Sequence, residues 1–164
     1  MSPEVKNNAV KGSEIQLVIF MLAGERFALE ISQVREIIRM QNITPMPKAP
    51  TFIQGVINLR GQIIPVMDLS ERFSIRKTEQ GEKSRIVVVD VEENAMGLVV
   101  DEVPEVVRIL STDIEPTPEM LESQIHAQFI RGVAKRDEDL IIIMDAQKIL
   151  TKEESRQFSA SAGE

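Results

Sequence analysis

The side chains able to do acid–base, nucleophilic or metal chemistry are few in this 164-residue chain, and they do not converge. His126 is the only histidine and there is no cysteine. Disulfides, thiolate sites and histidine-based metal sites are therefore excluded, and His126 reads as an ordinary surface or strand-edge residue. Carboxylates occur in runs, at Glu92-Glu93, Asp101-Glu102 and Asp137-Glu138-Asp139. A facing pair of carboxylates can move protons, but these runs fall at predicted turns, where charge keeps hairpin tips in water. The phosphate-binding, dinucleotide-binding and serine-nucleophile motifs GxxxxGK[ST], GxGxxG and GxSxG are absent. The reading is no enzyme, no cofactor and no metal.

Two charged residues carry more information because of where they stand. Arg60 lies in the stretch Phe52–Phe73, FIQGVINLRGQIIPVMDLSERF. It reads as two apolar strands around a tight turn at Asn58-Leu59-Arg60-Gly61, followed by a short helix. Gly61 supplies the positive φ that such turns need. Asp68 is an N-cap with Glu71 three residues on. The stretch is written a second time from Phe129 as FIRGVAKRDEDLIIIMDAQKIL, with the turn changed to Lys135-Arg136-Asp137-Glu138. Arg60 is thus not demanded by the repeated architecture, and on a hairpin tip it offers a bidentate donor set to a partner. Glu36 sits in an apolar setting beside Val34 and Ile37 and recurs as Glu105. Glu36 and Arg60, on adjacent strand ends of one module, are expected to form an ion pair at a binding surface.

The elements that position these residues follow from the same repeat. Phe27–Arg39 laid over Met96–Arg108, 69 residues on, matches Leu29, Val34, Glu36 and Arg39 with Leu98, Val103, Glu105 and Arg108. Short strands at close spacing without long helices point to two small β-barrels of about five strands each, packed side by side. Ile15–Leu22 and Phe27–Ile31 read as a hairpin, and Ser32–Met40 as a turn leading into a strand. Thr44–Pro50 reads as a rigid extended link because of its three prolines. Pro65 suggests an edge position or a bulge. Arg85–Val91 and Met96–Val100 read as a second hairpin, and Ser74–Ser84 and Ser111–Gln124 as loops. The expected organisation is a disordered tail over 1–13 and one domain over 14–150. Within it, barrel one spans about 14–73 and barrel two about 84–150, with strand exchange between them left open. A C-terminal helix is expected over 145–158, with a second capping box at Thr151–Glu154, and a frayed tail over 159–164.

Composition narrows the function classes. Apolar residues make up 43% of the chain, a globular value, whereas aromatics are six Phe with no Tyr or Trp, so the core should be aliphatic. A net charge of −7 argues against nucleic acid, whose phosphates need a clustered basic face. No apolar run approaches the roughly 20 residues of a membrane span, and no signal peptide is evident. Two barrels without an active site suggest an adaptor in the cytoplasm that presents a different face to each of two partners. A small-molecule-binding barrel is the alternative, and it would need an interior cavity of more than about 300 Å³.

Three segments, Val18–Ile38, Ala49–Leu69 and Gly97–Val103, resemble the CheW family of bacterial chemotaxis coupling proteins. The most specific part is F-I-x-G-V-x-N-L-R-G at Phe52–Gly61 followed by I-x-P-V-x-D-L at Ile63–Leu69. The likeness covers about Glu14–Leu150. It implies a mainly all-β fold of two SH3-like five-stranded barrels with short helices. It also implies a non-catalytic adaptor that couples methyl-accepting chemotaxis receptors, at their cytoplasmic tip, to the regulatory domain of the histidine kinase CheA. Such an adaptor would be recruited to membrane-bound receptor arrays. By resemblance, Val34, Glu36, Gly55, Asn58 and Arg60 match positions tied to receptor and kinase coupling. Ile31, Gln41 and Ile43 match a kinase-facing edge of the first barrel. Gly55 recurs as Gly132, which allows a purely backbone role. The chain has no room for a receiver or kinase domain, so the stand-alone adaptor is implied, in chemotaxis or in another chemosensory pathway.

Overall fold

Alternating apolar and polar residues, broken by turns at Ala23-Gly24, Arg60-Gly61, Glu92-Glu93 and Asp137-Glu138, give the chain eleven strands among the described residues. The computed structural model describes residues 13–49, 53–73, 81–116 and 129–150, with Glu154 and Arg156. Strands β1 (Glu14–Leu22) and β2 (Glu25–Glu30) form a hairpin, and a 3-10 turn, Ile31–Gln33, leads to β3 (Val34–Arg39). Then come β4 (Gly55–Leu59), β5 (Gln62–Asp68) and a one-turn helix α1 (Leu69–Arg72). Asp68 Oδ1 accepts from the Ser70 and Glu71 amides at 3.0 and 3.4 Å, the expected cap. The second half repeats the order with β6 (Arg85–Val91), β7 (Asn94–Val100), β8 (Glu102–Leu110), β9 (Ile114–Glu115), β10 (Ile130–Arg136) and β11 (Asp139–Met144).

The hydrogen bonds group these strands differently from a contiguous division at 14–73 and 84–150. One sheet runs β3-β6-β7-β5-β4 and the other β8-β1-β2-β11-β10-β9. The first barrel is therefore an unbroken stretch, β3 to β7, and the second joins the opening hairpin to β8–β11. Each repeat has given its leading hairpin to the other's barrel. The exchange is sealed by two parallel pairings at matching registers, Val66 with Gly97 and Ile143 with Ala28.

The strand faces explain why this packs. Ile86 and Val88 of β6 point into the first barrel with Ile57, Ile64, Val66 and Val99. Leu17 and Ile19 of β1 point into the second with Ala28, Val107, Ile141 and Ile143. The opposite faces of the same strands, Val87, Val89 and Val91 with Phe20 and Leu22, meet in a third core between the barrels. That is why RIVVVDV and IQLVIFML read as continuous apolar runs. Both barrel interiors are aliphatic, as composition implied. The aromatics among the described residues concentrate between the barrels, where Phe20, Phe27, Phe73 and Phe129 form a chain of ring contacts at 5.9, 6.2 and 5.6 Å. Arg72 covers its end, with the guanidinium 4.6 Å from the centre of Phe129 and Nη2 2.5 Å from Glu154.

Closure of each barrel depends on a glycine. Beyond β3 the chain returns to β4, where the Thr44 and Val56 amides each donate to the other's carbonyl at 2.8 and 2.9 Å. A Cβ on Gly55 would stand 2.5 Å from the Thr44 carbonyl oxygen and 2.7 Å from Ile43 Cγ2. In the second barrel β9 does the same against β10, and a Cβ on Gly132 would stand 2.7 Å from both the Glu115 oxygen and Ile114 Cγ2. The closing strand falls inside Ser111–Gln124, expected to be loop; residues 117–124 lie outside the described residues, as do His126, 74–80 and the two termini. Pro65 does not sit on an edge strand, since β5 lies between β4 and β7. Its partner Val56 bonds to Thr44 on the other side, so the missing proline N–H costs the β4–β5 ladder nothing. Of the helix expected over 145–158, the start is a 3-10 turn, Ala146–Lys148, capped by Asp145, and Glu154 and Arg156 are helical. Of residues 151–158 only Glu154 and Arg156 are described.

Gly55→Ala and Gly132→Ala are each expected to lose about 1–3 kcal/mol, because the added methyl meets backbone that closes a barrel. The urea midpoint should fall with an unchanged denaturant slope.

Candidate functional site

The β4–β5 hairpin ends in a two-residue turn with Arg60 at φ +51° and Gly61 at φ +87°, both positive as in a type I′ turn. Asn58 Oδ1 accepts from the Gly61 amide at 2.8 Å and braces the turn. The left-handed backbone at a non-glycine residue is strained. The Arg60 side chain is 70% exposed and reaches across to β3, where Nη2 pairs with Oε2 of Glu36, itself 27% exposed. This hydrogen bond, and then the carboxylate charge, raise the Arg60 pKa above its ordinary value. The expected ion pair is present, and it spans the seam between the two edge strands of the first barrel.

The other sequence-singled residues fall into three places. Asn58 joins Glu36 and Arg60 at the tip. Gly55 is buried at the closure and Ile43 packs against the first barrel's interior. These two touch one another, and the surface position there is the exposed Gln41. Val34 pairs with Val89 and packs half-buried against the core between the barrels. Ile31 is not on the edge of the first barrel. It lies in the 3-10 turn that carries the chain between barrels and is 42% exposed. It borders an open groove of about 370 Å³ with Glu14, Ile15, Gln16, Glu30, Ser32 and Arg108. This groove is outside both barrels, whose interiors hold the two buried aliphatic clusters, so it is not the internal cavity a ligand-binding barrel would need.

Sequence comparison missed a second pair. Arg136 Nη1 lies 3.0 Å from Oε1 of Glu105, the repeat counterpart of Glu36. Arg136 aligns with Leu59 and not with Arg60, so matching the copies position by position hid it. Arg136 ends its strand opposite Asp139, and from there it also reaches the neighbouring edge strand. Each tip also carries two exposed aliphatic residues at equivalent positions, Ile37 and Ile63 on the first barrel, Val106 and Leu140 on the second. Both the carboxylate and the apolar pair recur in the repeat, and that was the available signal.

Two barrels share one core, and each ends in an exposed, ion-paired hairpin, which defines the class as a two-barrel β module. The model of the CheW-like domain matches residues 16–154. The chain is 30% identical over 155 residues to the chemotaxis protein CheW of Treponema pallidum, covering 92% of this chain and 91% of that one. It is 34% identical over 139 residues to the chemotaxis protein CheW of Rhizobium meliloti, covering 85% and 89%. The crystal structure of the scaffolding protein TtCheW from Thermoanaerobacter tengcongensis superposes with a TM-score of 0.77 at 41% identity, covering 84% of this chain and 88% of that one. The chain belongs to the CheW-like domain family. It is a non-catalytic adaptor of chemotaxis signalling.

Arg60→Gly is expected to melt at a higher temperature than Arg60→Ala. Both remove the ion pair, but only glycine adopts a φ of +51° without strain. Thermal unfolding followed by circular dichroism reads the difference.

Proposed function

We propose that this adaptor holds the cytoplasmic tip of methyl-accepting receptors and the regulatory domain of CheA at separate places on its two barrels. The observation that carries the reading is the Glu36–Arg60 pair on the exposed first-barrel hairpin, flanked by Asn58, Ile37 and Ile63. An exposed ion pair contributes little to folding, and Arg60 occupies a strained backbone position that the second copy fills with a different residue. Its guanidinium is planar and charged, and it lies beside apolar surface, a combination that favours a protein partner. We assign this tip, with Val34 and Gly55 holding the strands beneath it, to receptor coupling. Ile31 and the groove beside it, with Gln41 as a separate exposed position, are assigned to the kinase. No helix among the described residues is long and apolar enough to cross a membrane. The proposed place of action is the cytoplasmic face of receptor arrays, reached through the receptors and not by insertion.

Calorimetric titration against the CheA regulatory domain and against a soluble receptor-tip fragment tests the assignment. Binding in the micromolar range or tighter is expected for both. Arg60→Ala is expected to weaken the receptor tip about tenfold, a hot-spot loss, and to leave the kinase domain within about twofold. Ile31→Glu is expected to do the reverse, since a charge placed in a desolvated contact is costly. Ile31 is the cleaner probe than Ile43, which lines a core. Folded wild-type protein that binds neither partner overturns the reading, and equal losses for both variants overturn the separation of surfaces.

A further inference from the structure

The chain passes between the barrels at two places, Ile31–Gln33 after β2 and Asp101 after β7. Asp101 is pinned to the first hairpin turn: its amide donates to the Met21 carbonyl at 3.0 Å and its Oδ2 accepts from the Ala23 amide at 2.8 Å. The other crossover is held by side chains. Gln33 Nε2 donates to Asp145 Oδ1 at 3.0 Å, and Gln33 Oε1 accepts from the Ala146 amide at 3.1 Å. The same Asp145 oxygen accepts from the Gln147 amide at 2.9 Å. Gln147 then reaches the first barrel, with Nε2 donating to the Asp90 carbonyl at 2.6 Å and Oε1 accepting from the Glu92 amide at 3.3 Å. Arg35 Nη2, two residues beyond Gln33, lies 2.6 Å from Asp90 Oδ1. The bonds run from the crossover to the end of the second barrel, on to the first, and back along β3.

We propose that this ring, through Gln33, Asp145 and Gln147, is the lock that fixes the angle between the two barrels. The core between them is apolar. Its attraction holds the barrels together but is not directional, whereas a hydrogen bond weakens steeply once its angle is lost. Gln33 uses both ends of its amide, as does Gln147, so rotation of one barrel against the other breaks several bonds at once. Gln33 also directly precedes Val34, the first residue of β3, and lies three residues before Glu36, so the ring sets where the strand bearing Glu36 begins. The lock is a property of the fold and does not depend on which partner meets which surface.

The absence of native cysteine allows clean spin labelling at the exposed positions Gln62 and Glu138, one on each hairpin tip. In an otherwise unaltered chain carrying Gln62→Cys and Glu138→Cys, a single narrow distance distribution is expected. Adding Gln33→Met and Gln147→Met, which keep side-chain size and remove the amides, is expected to broaden it at least about twofold while unfolding remains cooperative. An unchanged width in the folded variant overturns the proposal. If the double replacement does not fold, Gln33→Met alone is read by hydrogen exchange. The Ala146 amide should exchange about two- to tenfold faster, as expected for one lost hydrogen bond. The Asp145 amide, bonded to the Phe129 carbonyl, should be less affected. Unchanged exchange at Ala146 overturns the lock.

Discussion

The rest of the structure depends on burial of apolar surface between the barrels. The first barrel has the expected five strands and the second has six, because its closing segment forms the short strand β9. A barrel of either size encloses only a small core, and small cores are marginal on their own. This chain solves the problem with strands that are apolar on both faces. Ile86 and Val88 fill a barrel while Val87, Val89 and Val91, one residue over, fill the space between. Scarce aromatic residues are placed where they bury most, in the ring contacts from Phe20 to Phe129. Exchange of the leading hairpins makes the arrangement harder to undo, because separating the barrels leaves each connected to the other through Ile31–Gln33 and Asp101.

Within that frame the two barrels use the same local devices for different ends. Gly55 and Gly132 let the closing segment approach, and any side chain at either position would collide with backbone. Glu36 and Glu105 each receive an arginine across the open seam. At the tips the equivalence stops. Asn58-Leu59-Arg60-Gly61 presents a braced turn with an exposed cation, whereas Lys135-Arg136-Asp137-Glu138 presents mixed charge. Shared packing supports both barrels, and the two copies differ in the loops that packing leaves free.

The repeat made most of the fold legible. Most strands, the hairpin turns and the Asp68 cap follow from residues close in sequence or from comparing the copies, and the charged pair at the first tip follows from opposite charges within one module. The sequence alone did not show that Ile31 belongs beside β1 and β8, that Ile43 lies inward, or that Arg136 replaces Arg60 as the partner of the second glutamate. Each of these depends on which strand lies next to which.

What the sequence determined by itself is therefore local: where strands start and stop, which residues turn, and which faces are apolar. These depend on propensities and periodicities spanning a few residues. Tertiary structure decided the pairing. Glu25–Glu30 and Asn94–Val100 are repeat counterparts with matching apolar faces, so either could complete either barrel as far as pattern goes. The choice is made by contacts between residues 46 to 115 positions apart: the parallel pairing of β2 with β11, the Phe27–Phe73 and Phe73–Phe129 ring contacts, and the clamp of Gln33 on Asp145. Only the assembled core makes those contacts adjacent.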